Sequence, residues 1–550
     1  MLDVAGLEER ITERMRVRRV PGLAVAVVQG EDVVYSNGFG VTSLEEGGVS
    51  VTPRTLFHIG STTKPLTGTM ILRLVEAGAL DLDRPVGDYV PDLRFSQPTA
   101  ERTITLRLLL SHTSGLQSSA AYFGPRDHDG LARAMYETLV TRSFVAPPGT
   151  VYAYSNDGLQ LAGYVAEVAT GESFDSLMQR LVFEPLEMTR TTYDPLVAMT
   201  YSPALSHATR PDNSLAVEHH MADNAVGHPC GFLYSTTLDL ANFALLHLHA
   251  GRFQSQVLLT PASVALMHTP QVSLYTVHDE GYGLTFRTER YKGIRLLRHH
   301  GLFMCYSSIF YLAPDHGMGV SILFNSIAAP VGADALAKSI FDELLALPAE
   351  QALPPDSSSG PLVRLSVAVN PSEWPHVTGE YLGLNAGLAT IAVVEDHLTL
   401  DLNGTVVPLQ MHAPHVYFGH SPMSGTLVSV GFVPPSGYAP NSVPGATRHL
   451  LVNGSLFERF ARNPDYRPDL ARLATYVGVY VGETGTLVAR SEQGALVVHS
   501  PEDDLEARCV ALGPTSFVGS LGLMEFTADE MGRVTGVTRG RFYPFQRVAE

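Results

Sequence analysis

Ser61 and Lys64 stand three residues apart in Gly60-Ser61-Thr62-Thr63-Lys64-Pro65, where an apolar segment running from Thr63 to Ala79 begins. The periodicity of that segment predicts a helix, with Pro65 tolerated in its first turn. A three-residue spacing puts both side chains on one helical face, within reach of each other. At the positive end of the helix dipole, where developing negative charge is favoured, Ser61 is a candidate nucleophile. A neutral Lys64 amine would be its base; a cation would be an electrostatic activator. The choice of lysine is itself informative, because of 37 basic side chains only Lys64, Lys292 and Lys338 are lysines. Arginine keeps its proton in a protein, whereas a partly buried lysine can release it and act as a base.

Two further clusters carry chemistry. Tyr154-Ser155-Asn156 follows Pro147-Pro148-Gly149-Thr150. A phenol pushed toward phenolate by a nearby lysine can relay the serine proton, and the Asn156 amide can hydrogen-bond a substrate carbonyl. His299-His300-Gly301 follows the strand-like Ile294 to Leu297. His299 can hold a proton and donate it to the tyrosine or to a substrate carboxylate. Gly301 lets the strand backbone approach the substrate, and the Leu302 amide can join that of Ser61 as an oxyanion hole. His112, in Ser111-His112-Thr113-Ser114-Gly115, reads as a loop stabiliser. Glu218-His219-His220 lacks the spacing of a metal site. No glycine-rich loop has the setting of a nucleotide site. No metal and no cofactor are expected.

The elements that must position these groups occupy residues 1 to about 345. Val4, Leu7, Ile11 and Met15 recur at helical spacing among charged residues. Gly22 to Gly30 and Asp32 to Gly38 predict a hairpin of buried strands. Helices are predicted over Ser235 to Gly251 and Gly332 to Leu347, and strands over Gly281 to Thr288, Leu296 to His299, Ser307 to Leu312 and Gly319 to Asn325. The result is an α/β (α+β) region, a sheet with flanking helices whose terminal strands meet. Pro348 to Gly360 then has the proline, alanine and serine of a linker. Beyond it, short alternating strands with glycine turns predict all-β barrels or sandwiches. Gly379-Glu380-Tyr381-Leu382-Gly383 returns as Gly478-Val479-Tyr480-Val481-Gly482, an offset of 99 residues. Each unit ends in a strand carrying arginine, Leu456 to Arg462 and Phe542 to Val548. Two small antiparallel barrels follow from this, with one larger barrel as the alternative. The expected domains are 1–347, a linker 348–371, a first barrel 372–464 and a second 465–550. Val433 to Gly445 is a long Pro/Gly/Ser-rich loop in the first barrel, either disordered or functional.

The composition, 45% hydrophobic and 17% charged over 550 residues, is that of a globular enzyme. A net charge of −18 argues against nucleic acid and anionic membranes as partners. Cys230, Cys305 and Cys509 are odd in number and widely spaced, so no disulfide framework is implied and a reduced compartment is expected. No export signal and no apolar run of about 18 residues is seen, which predicts a cytoplasmic protein that does not engage the membrane. Composition leaves the oligomeric state open.

In the order Ser-x-x-Lys, Tyr-x-Asn, His-x-Gly, the chain resembles the serine hydrolases of the class C β-lactamase and penicillin-binding-protein superfamily. Leu106 to Leu116, Phe183 to Met188, Gly231 to Thr236 and Gly281 to Leu284 look like family segments in family order, so the resemblance spans residues 5 to 345. It implies a β-lactamase/transpeptidase-like catalytic domain, with Ser61, Lys64, Tyr154 and His299 catalytic and Asn156, Gly301 and Leu302 binding substrate. His-x-Gly in place of the Lys-Thr-Gly of true β-lactamases is typical of members resembling esterases, D-amino-acid peptidases and amidases. Cys305 replaces a family glycine, and Leu302, Phe303 and Met304 predict a crowded apolar edge to the cleft. A catalytic domain followed by two barrels, taken as lipocalin-like, is similar to the architecture of the D-aminopeptidases of this superfamily, where a barrel loop enters the cleft. The implied activity is acyl-enzyme hydrolysis of small esters or D-amino-acid peptides and amides. The alternatives are a β-lactamase or D,D-carboxypeptidase and, in another class, a non-catalytic ligand-binding or scaffold protein.

Overall fold

A computed structural model describes residues 2–118, 122–127, 129–210, 214–219, 222–326, 333–348, 371–434, 447–461, 466, 469–482, 485–501, 505–529, 531–540 and 543–548. The chain divides into two compact units, Met1–Ser273 with Glu280–Gln351, and Leu274–Asp279 with Ala352–Glu550.

The first unit is built on one antiparallel sheet. Its strands are β1 (Gly22–Gln29), β2 (Asp32–Gly40), β3 (Val272–Ser273), β4 (Gly281–Tyr282), β5 (Arg287–Tyr291), β6 (Ile294–Phe303), β7 (Tyr306–Ala313) and β8 (Met318–Phe324). They lie in the order β2-β1-β8-β7-β6-β5-β4-β3. The two ends of the unit therefore meet, with Leu23 opposite Phe324 and Gln29 opposite Met318. β1 is apolar on both faces because both faces are covered. Leu23, Val25 and Val27 pack with Leu7 and Ile11 of helix α1 (Val4–Arg18) and with Leu336, Ile340 and Phe341. Ala24, Ala26 and Val28 face the other core, with Leu66 and Met70 of helix α2 (Thr63–Glu76). α2 is buried around nearly its whole circumference, so that Thr63, Lys64, Thr67 and Thr69 are enclosed along with its apolar residues. The single strand predicted over Gly281 to Thr288 is two short strands. Between them the Gly283 amide donates to the Phe286 carbonyl at 2.7 Å, and Thr285 has φ +67°.

The second unit contains two sheets. Residues Gly379–Phe460 form nine strands, with the two sheet ends, Thr405–Pro408 and Gln410–Ala413, consecutive in the chain; this barrel is nearly closed. Residues Gly478–Arg547 form a closed eight-stranded barrel. Two barrels, not one, fill this region, and side chains occupy their interiors: Tyr381, Leu400, Val430 and Phe457 in the first, Tyr480, Val498, Phe517 and Met524 in the second. Of the stretch Val433 to Gly445, residues 435–445 lie outside the described residues, as do 349–370 of the linker. Among the described residues no helix is long and apolar enough to cross a membrane.

The repeat has a physical content. In each barrel a short helix, Trp374–Val377 or Leu470–Thr475, leads into the glycine-initiated first strand. The Tyr381 hydroxyl donates to the Val377 carbonyl and the Tyr480 hydroxyl to that of Tyr476, both at 2.7 Å. The last strand's arginine then closes the helix end. Arg459 donates to the carbonyls of His376 (2.7 Å), Thr378 (2.9 Å) and Thr447 (2.7 Å), and Arg547 to those of Thr475 (3.1 Å) and Val477 (2.6 Å). Arg459→Met leaves three carbonyls and the Tyr381 hydroxyl without this donor. The expected loss is about 2–4 kcal/mol of barrel stability. Trp374 is the chain's one tryptophan and lies in the capped helix, so its fluorescence during urea unfolding reads that loss directly. An unchanged midpoint overturns the capping role.

Candidate active site

Ser61 sits in a 3₁₀ turn, Gly60–Thr62, that runs straight into α2. Two strands of the sheet clamp this turn from outside. The Ser308 hydroxyl donates to the Ile59 carbonyl at 2.7 Å and lies 2.7 Å from the Thr62 hydroxyl. Gly60 has φ +50°, and a Cβ there would lie 2.7 Å from the Leu302 carbonyl oxygen and 2.9 Å from its amide nitrogen. Only glycine fits that left-handed position at this distance from a neighbouring backbone. The Leu302 backbone is thereby held beside the serine turn. At Gly301 the volume of a side chain is filled by the Ile59 carbonyl and the Ser308 hydroxyl. Its glycine therefore brings the strand against the serine turn, where the sequence pattern suggests an opening of the strand to substrate.

Lys64 and Tyr154 converge on Ser61. The lysine amine donates to the serine Oγ at 2.9 Å and to the Cys230 carbonyl at 2.7 Å. The Tyr154 hydroxyl donates to the same Oγ at 2.8 Å, and the amine lies 4.8 Å from the centre of the Tyr154 ring. Lys64 is fully buried, which disfavours its charged form and pushes its pKa down to about 8. The phenol goes the opposite way to the sequence expectation. Burial raises Tyr154 well above the usual phenol range, outweighing the Ser61 hydrogen bond, so its neutral O–H form is held. The Cys230 thiol is likewise pushed up by burial.

The two histidines behind this group are neutral. Burial and the nearby Lys64 hold both His112 and His299 well below the ordinary histidine range. His299 is committed on both nitrogens: Nδ1 lies 2.8 Å from the His300 carbonyl, so it carries the proton, and Nε2 accepts from the Tyr282 hydroxyl at 3.1 Å. His300 pairs with Asp334 at 2.8 Å instead. Leu302 is 55% exposed, whereas Phe303 turns inward and stacks on His58 at 3.4 Å between ring centroids. The apolar edge predicted from Leu302, Phe303 and Met304 thus loses its phenylalanine to the core.

Asn156 opens the helix α3 (Asn156–Thr170), its amide donating to the Ser118 hydroxyl at 3.0 Å. Its Oδ1 and the Nε2 of Gln117 are buried without a hydrogen-bond partner among the described residues. Sequence reasoning does not pick out Gln117; its place directly after the Ser-Gly-Leu of a family segment is the available signal. Cys230 supplies only its carbonyl, which no side-chain motif announces. His219 pairs with Glu45 at 3.1 Å, and His220 lies outside the described residues.

A serine turn, a buried amine and a phenol held in its O–H form meet on one hydroxyl, an arrangement able to carry serine-hydrolase chemistry. The beta-lactamase family model matches residues 7–344, and the chain belongs to that family, a serine-hydrolase-type enzyme of the β-lactamase and penicillin-binding-protein clan. It is 29% identical to penicillin-binding protein 4 of Amycolatopsis lactamdurans over 66% of this chain and 95% of that one. Among solved structures it resembles the octameric penicillin-binding protein homologue from Pyrococcus abyssi, with TM-score 0.56, 24% identity and coverage of 83% of this chain and 100% of the other. SurE aligns with TM-score 0.61 and 24% identity over 83% of this chain and 99% of that one. At those identities the two structures establish the shared fold.

Proposed function

We propose that the region 1–347 hydrolyses an acyl bond next to a D-configured residue through a covalent Ser61 intermediate. The carrying observation is the convergence of Lys64 and Tyr154 on one serine oxygen, at 2.9 and 2.8 Å. Ser61 attacks the carbonyl while the neutral Lys64 amine takes its proton. Tyr154 gives its O–H proton to the leaving group as that bond breaks and is reprotonated from the Lys64 ammonium. Water then cleaves the Ser61 ester, releasing the acid and restoring the serine hydroxyl. The amides of Ser61 and Leu302 hold the oxyanion. The buried, unpartnered amide atoms of Gln117 and Asn156 suit a substrate amide, which has both a donor and an acceptor to offer. His299 serves as a neutral acceptor for Tyr282, in place of a cation.

The sequence orders esters and D-aminopeptidase substrates ahead of β-lactam and D,D-carboxypeptidase chemistry. The name of the Amycolatopsis relative reverses that order, and the penicillin-binding type of reaction stands first here. The ester and D-aminopeptidase reading is kept for the absence of a lysine at position 299. For the barrels, the up-and-down strand order supports a lipocalin-like reading, and their filled interiors favour a structural role over ligand storage. A small ester or peptide is the partner this reading requires.

The test is a side-by-side assay of nitrocefin, a D-alanyl-D-alanine peptide, D-alanyl p-nitroanilide and p-nitrophenyl acetate, with Ser61→Ala as blank. Fluorophosphonate labelling should mark the wild type and spare Ser61→Ala. A folded wild type that neither labels nor turns over any of the four sinks the hydrolase reading in favour of a binding protein. Turnover of the acetate ester alone returns the esterase to first place.

A further inference from the structure

We propose that His112 is a positioning residue for Tyr154, a role that rests on the serine-hydrolase reading above. One residue holds the backbone N–H groups of both of the tyrosine's neighbours, Ala153 and Ser155. The Ala153 amide donates to the His112 carbonyl at 2.7 Å, and the Ser155 amide donates to the His112 Nδ1 at 3.1 Å. A carbonyl and a ring nitrogen of the same residue can face one extended segment because the backbone turns sharply at His112, with φ +56°. Histidine is one of the few residues with a side chain that visits that region with any frequency.

The same ring also fills the space behind the phenol. Its centroid lies 4.4 Å from that of Tyr154 and 4.8 Å from that of Tyr282. His112 is thus wedged between the tyrosine arm and Tyr282 of β4, whose hydroxyl in turn donates to His299 of β6. Because Nδ1 accepts from an amide, the ring proton must sit on Nε2, and that N–H is buried without a partner among the described residues. Protonating Nδ1 would break the Ser155 bond and place a cation beside Lys64. The site therefore works with one tautomer of one charge state.

A loop stabiliser and a positioning residue predict different outcomes in a double-mutant cycle. The pairs are His112→Phe, which keeps a ring but no acceptor, and His112→Asn, which keeps an acceptor near the Nδ1 position, each alone and with Tyr154→Phe. The readouts are the rate of fluorophosphonate labelling of Ser61, kcat and KM on the best substrate, and Tm. If His112 acts through Tyr154, His112→Phe slows labelling and kcat about tenfold or more with KM nearly unchanged, and this loss shrinks to about twofold or less when Tyr154 is already phenylalanine. His112→Asn recovers part of the rate, and decides the cycle should His112→Phe fail to fold. Equal losses in both backgrounds, or no loss in either, overturn the proposal. Independently of activity, histidine ¹⁵N shifts should show His112 as the Nε2–H tautomer with no titration across about pH 5.5 to 8. An Nδ1–H or titrating ring overturns positioning, whereas a wild type that does not label Ser61 overturns the hydrolase reading.

Discussion

Lys64→Met is expected to slow acylation of Ser61 by about a thousandfold, the range that removal of a positioned general base produces. The wild type should show kcat/KM rising with pH through about 8, as the buried amine loses its proton, and levelling above it. Tyr154, Cys230, His112 and His299 are all displaced away from that range. Burial holds Tyr154 and Cys230 above that range, and burial together with Lys64 holds His112 and His299 below the ordinary histidine value. The same substitution should not cost stability. Lys64 has a lower pKa folded than unfolded, so the folded state is penalised while the amine is charged in both. A displacement from 10.5 to about 8 corresponds to a penalty of order 3 kcal/mol, reduced by the hydrogen bonds to Ser61 and Cys230 that methionine gives up. The sign follows: wild-type stability rises with pH between about 8 and 10.5, where only the unfolded chain keeps the proton, and the advantage of Lys64→Met is largest below 8. Thermal unfolding at about pH 6 and 9.5 measures it. An inactive Lys64→Met with a raised Tm identifies the lysine as a group kept for chemistry at the expense of the fold; a pH-independent wild-type rate from about 6 to 9 would falsify the base assignment.

How legible this site is in the chain depends on where its information lies. Ser61 and Lys64 are readable because their relation is local, fixed by helical spacing, and because lysine is so scarce. The doubly buried β1 is readable because its composition alone reports burial on both faces, whereas the burial of Thr63, Lys64, Thr67 and Thr69 in α2 is not. Tyr154 is readable only as a motif, since it reaches Ser61 across 93 residues of sequence. Its protonation is not, because pKa depends on the depth of burial, which no local pattern states. The Cys230 carbonyl and the Ser308 clamp are invisible for a different reason: backbone groups and small hydroxyls are everywhere, and only the fold selects one. Phe303 reads as a cleft residue until the alternation of β6 is known, because a shift of one residue exchanges the two faces of a strand. In the barrels the repeated glycine and tyrosine are plain, and so are the arginines on the closing strands, yet the task of those arginines needs the helix ends that they cap.

Gly301→Ala is the second change expected to have a large effect, and for a steric rather than a chemical reason. A methyl group at this position overlaps the Ile59 carbonyl and the Ser308 hydroxyl, which are already bonded to each other at 2.7 Å. β6 must then move away from the turn that carries Ser61, and the Leu302 amide moves with it. A displacement near 1 Å at a reacting centre costs about a hundredfold in rate, while overpacking by one methyl costs about 1–3 kcal/mol of stability. The fall in labelling rate should therefore far exceed what the loss of stability explains. Gly293 provides the comparison. It lies in the turn between β5 and β6 with φ +86°, and a methyl group placed on it would meet no atom within 4 Å. Gly293→Ala strains the same hairpin by about 1 kcal/mol without touching the serine turn, so it should lower Tm and leave labelling within about twofold of wild type. If both alanines slow labelling in proportion to their loss of stability, the contact between Gly301 and Ile59 is ordinary packing. If only Gly301→Ala slows it beyond that proportion, the strand is holding the oxyanion donor in register with the nucleophile, and the glycine of the His-x-Gly motif is there to let two backbones touch.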